Sequence, residues 1–143
     1  MGNQRKLSPD IERSIRDSFA AQSMMATLGA TLATVSEGLV SIEAPILPGS
    51  RQQHGFAHAG LTFALGDSAA GYAALSVMPH GVEVLTTEMK INLLAPARGP
   101  RLIARGRVIK PGRRLVIVQA DVYAQDDSVE THVALLTGTM IPV

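Results

Sequence analysis

The sequence contains no cysteine. That absence removes disulfides, thiolate metal centres and a cysteine nucleophile, and it favours an intracellular setting. Charge is also scarce, at 17% of 143 residues, and the formal net charge is +1. A basic nucleic-acid-binding face is therefore not expected. The apolar share of 46% is too large for intrinsic disorder. The opening MGNQRKLSPD carries charge without an apolar run, so no secretory signal is read there and a cytoplasmic location is the expectation. Residues 56 to 78 form the longest weakly charged run and approach the roughly 20 apolar residues that span a bilayer. Asp67, His58, several glycines and several hydroxyls within it argue against a membrane role.

A chain of this length fits one domain with one core, residues 1–143. Ser8-Pro9-Asp10 has the order of a helix start, with Ser8 as N-cap and Pro9 in the first turn. Ile11, Ile15, Phe19, Gln22 and Met25 or Ala26 then recur at helical spacing, so residues 1–28 form an N-terminal extension built on one amphipathic helix that covers an edge of the domain. Residues 30 to 46 read as a hairpin about Ser36-Glu37-Gly38, and residues 47 to 57 as a loop. The next segment, to Leu75, is apolar nearly all round and rich in glycine and alanine, the pattern of a helix closely wrapped by other backbone. Strands follow at residues 82–94, 102–109, 115–124 and 129–141. In the first of them Leu85, Thr87, Met89, Ile91 and Leu93 alternate against Val84, Thr86, Glu88, Lys90 and Asn92. Short turns between the four imply an antiparallel meander. The order predicts an α+β fold, a curved antiparallel sheet around one long central helix.

Asp67 is the one ionisable group inside that helix. Burying a carboxylate is costly unless it is hydrogen-bonded or protonated, and groups so perturbed are enriched at functional sites. Gly60 and Asp67 lie seven residues apart on one helical face, with Phe63 and Ala64 between them and roughly 11 Å along the axis. The first amides, near Ala59 and Gly60, are donors with a partial positive charge, suited to a carbonyl oxygen. One chain cannot bring both ends to the same carbonyl. Two copies packed antiparallel across a two-fold axis can, which requires a dimer. His54 and His58 are four residues apart but are separated by Gly55 with no acidic third ligand nearby, so no metal site is expected.

The segments HAGLTFALGDSAAGYAA and TTEMKINLLAPARGPRLIARGRVIKPGRR resemble the hotdog-fold thioesterases of the PaaI-like family over about residues 25 to 141. The resemblance implies a hotdog fold, an acyl-CoA substrate, no cofactor and a homo-oligomer, commonly a dimer of dimers. By position, Asp67 matches the family's nucleophile or general base. Ala59, where glycine is usual, matches the residue whose N–H holds the thioester oxygen. His58 matches the motif histidine, structural or orienting, and Gly60 continues the helix start. Gln52 falls where relatives carry a side-chain amide that holds the carbonyl or water. Thr86, or its neighbour Thr87, aligns with a water-positioning hydroxyl. Arg113 and Arg114 could receive the phosphates of coenzyme A, since guanidinium binds phosphate bidentately. The expected activity is hydrolysis of an acyl-CoA thioester. The alternatives are an enoyl-CoA hydratase or dehydratase, with His58 and Asp67 as the acid/base pair, and a non-catalytic acyl-thioester sensor.

Overall fold

The computed structural model describes residues 7–143; the opening residues 1–6, part of the segment read above for a secretory signal, lie outside them. Helix α1 runs Pro9–Ala21, with Ser8 in the N-cap position and Asp10 and Glu12 in the first turn. The Ser8 side chain makes no capping hydrogen bond. The expected single helix to residue 28 is interrupted at Gln22, whose ψ of 96° is extended, and a short helix α2, Ser23–Thr27, follows. Gln22 leaves the helical path while its side-chain amide donates to the Tyr72 hydroxyl at 2.5 Å.

Strands β1 (Thr31–Ser36) and β2 (Leu39–Pro45) form the hairpin, with Gly38 at φ +76° supplying the turn. Helix α3 is Ala59–Leu75. It is followed by β3 (Val84–Leu93), β4 (Arg101–Pro111), β5 (Val116–Asp126) and β6 (Val129–Pro142). All pairings are antiparallel, in the order β1-β2-β4-β5-β6-β3.

The four-strand meander is therefore corrected. Only β4, β5 and β6 form one, while β3 sits beyond β6 at the sheet edge. The link from β3 to β4 is no hairpin turn. It contains Pro96 and Pro100, which have no N–H to donate, and Gly99 at φ +117°. Its Ala97 carbonyl accepts the Ala57 N–H at 3.0 Å, so the link braces the entry to α3.

The sheet curls around α3 and presents alternate residues to it, among them Val40, Ile42, Leu102, Val118, Val122, Leu136 and Met140, all buried. Small residues set how closely the layers approach. A β-carbon at Gly66 would lie 2.8 Å from both terminal carbons of Leu136. One at Gly106 would overlap the Ala69 carbonyl and sit 2.5 Å from the Ala70 nitrogen. Helix backbone thus rests directly on strand backbone.

Strict alternation along β3 also fails. The β3–β6 register shifts between Thr86 and Glu88, so a bulge puts Thr86 on the helix-facing side with Met89 and Ile91, while Leu85 is 54% exposed. Gly106→Ala is expected to destabilise the fold by about 1–3 kcal/mol or more through overpacking. Gly49, with open space around it, should accept alanine within about 0.5 kcal/mol. Urea denaturation of both variants checks the contrast.

Candidate active site

The loop entering α3 is held by its own backbone. The Gln52 N–H donates to the Phe56 carbonyl at 2.9 Å, the Gly55 N–H to the Gln52 carbonyl at 3.1 Å, and the His58 N–H to the Ser50 carbonyl at 2.9 Å. Gly55, at φ +86°, makes the reversal possible. The Gln52 side-chain oxygen accepts the N–H groups of His54 (2.5 Å) and Phe56 (3.2 Å). Its amide nitrogen has no acceptor among the described residues.

His58 is the N-cap of α3, and its Nδ1 accepts the Gly60 N–H at 2.7 Å. The ring proton therefore sits on Nε2. This corrects one expectation: the Gly60 amide is not a free donor, because the histidine beside it takes it. The Ala59 N–H has no acceptor among the described residues. Ala59 lines an apolar cleft of about 500 Å³ with Gln52, Phe56, Thr62, Leu93 and Val133. The Arg98 guanidinium stacks over the Phe56 ring at 4.6 Å.

Two turns along, Asp67 lies in a different pocket. The exposed and half-buried residues of α3 form a stripe, Ala59, Gly60, Phe63, Ala64, Asp67 and Ser68, running from the helix start to the acid. Asp67 is half-buried rather than enclosed. Burial raises its pKa above the ordinary carboxylate value, and the hydrogen bond from Thr86 partly offsets that rise. Thr86 Oγ1 donates to Asp67 Oδ1 at 2.7 Å and lies 3.2 Å from Met140 Sδ. Thr87 bonds the Thr139 carbonyl instead. Of the two threonines, the bulge delivers Thr86 to the acid.

The pocket around Asp67 holds about 220 Å³ and shares no lining residue with the Ala59 cleft. Ser18 of α1, Gln22 just past its end, Ser68 and Tyr72 of α3, and Glu83, Val84 and Thr86 also line it. Ser18 and Gln22 were missed by sequence reasoning. The available signal was Gln22 itself, a polar residue on an otherwise apolar stripe. Arg113 and Arg114 lie in the exposed β4–β5 connection and line neither pocket. Register places that connection at the Asp67 end, since Val116 pairs with Met140 and Met140 with Thr86.

The sequence profile of the thioesterase superfamily matches residues 54–131, more than half of the chain. The chain belongs to the thioesterase superfamily. A crystal structure of a thioesterase family protein from Silicibacter pomeroyi is 44% identical, covers 93% of this chain and 98% of that one, and superposes with a TM-score of 0.91. A Halobacterium salinarum protein carrying an esterase name is 28% identical over 124 residues, 81% of this chain and 82% of that one. The PaaI protein of the E. coli phenylacetic acid degradation operon shares the fold at 21% identity and a TM-score of 0.84, over 96% of each chain. The fold is thus the hotdog fold, and the chain is a thioester hydrolase. No described helix is long and apolar enough to cross a membrane.

In this thioesterase the Asp67–Thr86 bond has a measurable consequence. Thr86→Val removes a donor that favours the ionised acid, so the Asp67 pKa should move further upward. Carboxyl-carbon NMR titration checks this, with Thr86→Ser expected to restore the original value. An unmoved titration in the valine variant contradicts the assignment.

Proposed function

We propose that the protein hydrolyses acyl-CoA thioesters at two equivalent sites, each built from the α3 start of one copy and Asp67 of a second. The observation that carries this reading is the division of one helix into a free N-terminal amide at one pocket and a perturbed carboxylate at another. At 1.5 Å per residue, eight residues separate Ala59 from Asp67 by about 12 Å along the axis, too far for one carbonyl to meet both.

The surface beside them supports a second copy. β3 is an unpaired sheet edge ten residues long, with Leu85 54% and Leu93 60% exposed. Such an edge is a template for pairing. Antiparallel pairing of two β3 strands about a two-fold axis would bring the open stripes of two α3 helices together and reverse their directions. Each Ala59 amide would then approach the partner copy's acid.

At that site the thioester oxygen would accept the Ala59 N–H, with the Gln52 amide nitrogen as a further donor to the carbonyl or to water. Asp67 attacks the carbonyl carbon itself or removes a proton from a water that does so. Electrons of the C=O bond move onto the held oxygen. The tetrahedral species then collapses, the C–S bond breaks, and the thiolate of coenzyme A leaves without needing a strong acid. Water supplies the oxygen of the free acid, and Thr86 keeps the carboxylate oriented. The raised pKa of Asp67 makes it a stronger base than an ordinary carboxylate. His58 acts in this reading as an orienting residue, since Nδ1 is occupied by the Gly60 amide, which weighs against its use as a hydratase acid or base.

Thiol release from aryl-, short- and medium-chain acyl-CoAs tests the proposal. Asp67→Asn should lower the rate at least ~100-fold on whichever class turns over. The same change should raise stability at neutral pH. A carboxyl whose folded-state pKa is raised destabilises the folded form as pH rises through that value, and the isosteric amide removes this cost. The gain should vanish in acid, where wild-type Asp67 is protonated. Full activity in Asp67→Asn contradicts the proposal.

A further inference from the structure

Three polar side chains are buried among the described residues, those of Ser50, Thr62 and Ser76. Ser76 is fully engaged: its hydroxyl donates to the Ala73 carbonyl at 2.6 Å and accepts the Gly38 N–H at 2.7 Å. Thr62, 2% exposed, has no side-chain hydrogen bond to any described residue. Helical hydroxyls elsewhere turn back on their own helix, Ser14 to the Asp10 carbonyl at 3.0 Å and Thr27 to the Ser23 carbonyl at 3.2 Å. The matching carbonyl for Thr62, that of His58, instead accepts the N–H groups of Leu61 (3.0 Å) and of Thr62 itself (3.3 Å). The hydroxyl is not sealed in either. Among the described residues His132 Nε2 is the one enclosed side-chain atom without a partner. The little surface that Thr62 keeps therefore includes Oγ1, and Thr62 lines the Ala59 cleft.

A buried hydroxyl left without a partner is costly, and valine would fill the same space without that cost. The position thus carries a polar group for the cleft rather than for the fold. The other unpartnered groups there, the Ala59 N–H and the Gln52 amide nitrogen, can only donate. Thr62 Oγ1 differs from both, because a hydroxyl also accepts. In the acyl-CoA reading the two donors serve the thioester oxygen or the attacking water, which leaves the hydroxyl for a donor on the substrate. Alkyl and aryl acyl groups carry none. The thiol arm of coenzyme A does: its cysteamine N–H stands four bonds from the carbonyl carbon, roughly 5 Å away in the extended arm. Thr62 lies three residues beyond Ala59, about 4.5 Å along the helix axis, and its side chain leans back toward the helix start. One bound thioester can therefore reach both groups.

Resting on that reading, we infer that Thr62 is a further substrate-binding residue: its hydroxyl accepts the cysteamine N–H of the thiol arm and so positions the thioester at the Ala59 amide. The cleft then holds the thiol half of the substrate, with Phe56, Leu93 and Val133 around the methylenes of the arm. Recognition falls on the part that all acyl-CoA esters share, so Thr62 distinguishes thioesters by their thiol and not by their acyl group. A thiol arm without the N–H would leave the hydroxyl desolvated and unpaired.

The test joins the acyl group of the most active acyl-CoA to two thiols, N-acetylcysteamine and its ketone analogue in which a methylene replaces the amide N–H. Thiol release from both esters is followed with the full chain. One neutral hydrogen bond corresponds to about a tenfold preference in kcat/KM, so wild type should favour the N-acetylcysteamine ester by about that factor. Thr62→Val should bring the ratio toward unity by slowing that ester while the ketone ester keeps its wild-type rate. Thr62→Ser, which retains the oxygen, should restore the preference. A merely structural hydroxyl would change both esters alike. Thermal melts confirm that each variant is folded, and should Thr62→Val fail to fold, Thr62→Ala decides in its place. Three results overturn the inference and leave the hydrolase reading intact: no preference in a wild type that hydrolyses the CoA ester, a preference that survives in the folded variant, or an equal loss on both esters. No turnover of any acyl-CoA by wild type overturns both.

Discussion

A helix fixes the distance between its own residues, and here it holds the Ala59 amide and the Asp67 carboxylate apart. The donor at the start of α3 and the acid two turns on cannot approach each other, being about 12 Å apart along the helix axis. Among the described residues, the two pockets share no lining residue, and the lining of the Ala59 cleft holds no carboxylate. What the fold supplies instead is a rigid seat for the helix. Glycines at 66 and 106 let α3 settle against Leu136 and against the β4 backbone, so amide and acid hold their places relative to the sheet edge. In the proposed two-copy site, preorganisation of that kind would let a single backbone N–H stabilise the developing oxyanion, since no reorganisation is needed when charge develops.

Electrostatics along the helix follow the same division. The amide end keeps one donor open because His58 caps its neighbour rather than itself accepting from Ala59. At the acid, burial and a single hydroxyl act in opposite directions on the carboxyl, with burial the larger. Thr86 can serve only because a bulge in β3 turns it inward. A local irregularity of an edge strand thus reaches directly to the Asp67 carboxylate.

Much of this was legible in the residues. The glycine- and alanine-rich run from 59 to 75 announced a helix in close contact with other backbone, Asp67 stood out as its one ionisable group, and the resemblance assigned positions to Ala59 and Gln52. What was hidden depends on contacts distant in sequence. Local patterns gave β3 no reason to pair with β6 rather than β4, since prolines and Gly99 in the link only become informative once Ala97 is seen bracing Ala57. Alternation carries no mark of the extra residue that reverses the facing of Thr86 and Thr87. The Gly60 amide was read as free because the two-residue reach of a histidine N-cap depends on its rotamer. Gln22 sat in the stripe of α1 as a helical residue, while its actual conformation answers to Tyr72, fifty positions away.

Complementation between two damaged chains tests the two-copy site most directly. Ala59→Pro deletes only the N–H, because proline is accepted at a first helical position and His58 before it is already extended at ψ 142°. Asp67→Asn deletes the acid. Heterodimers of the two, isolated through different affinity tags, would contain one intact site and one doubly damaged site if donor and acid come from different copies. The account predicts that each homodimer is inactive and that the heterodimer recovers about half the wild-type rate of thioester hydrolysis, one site of two. A heterodimer as inactive as its parents would place donor and acid within one chain and contradict the account.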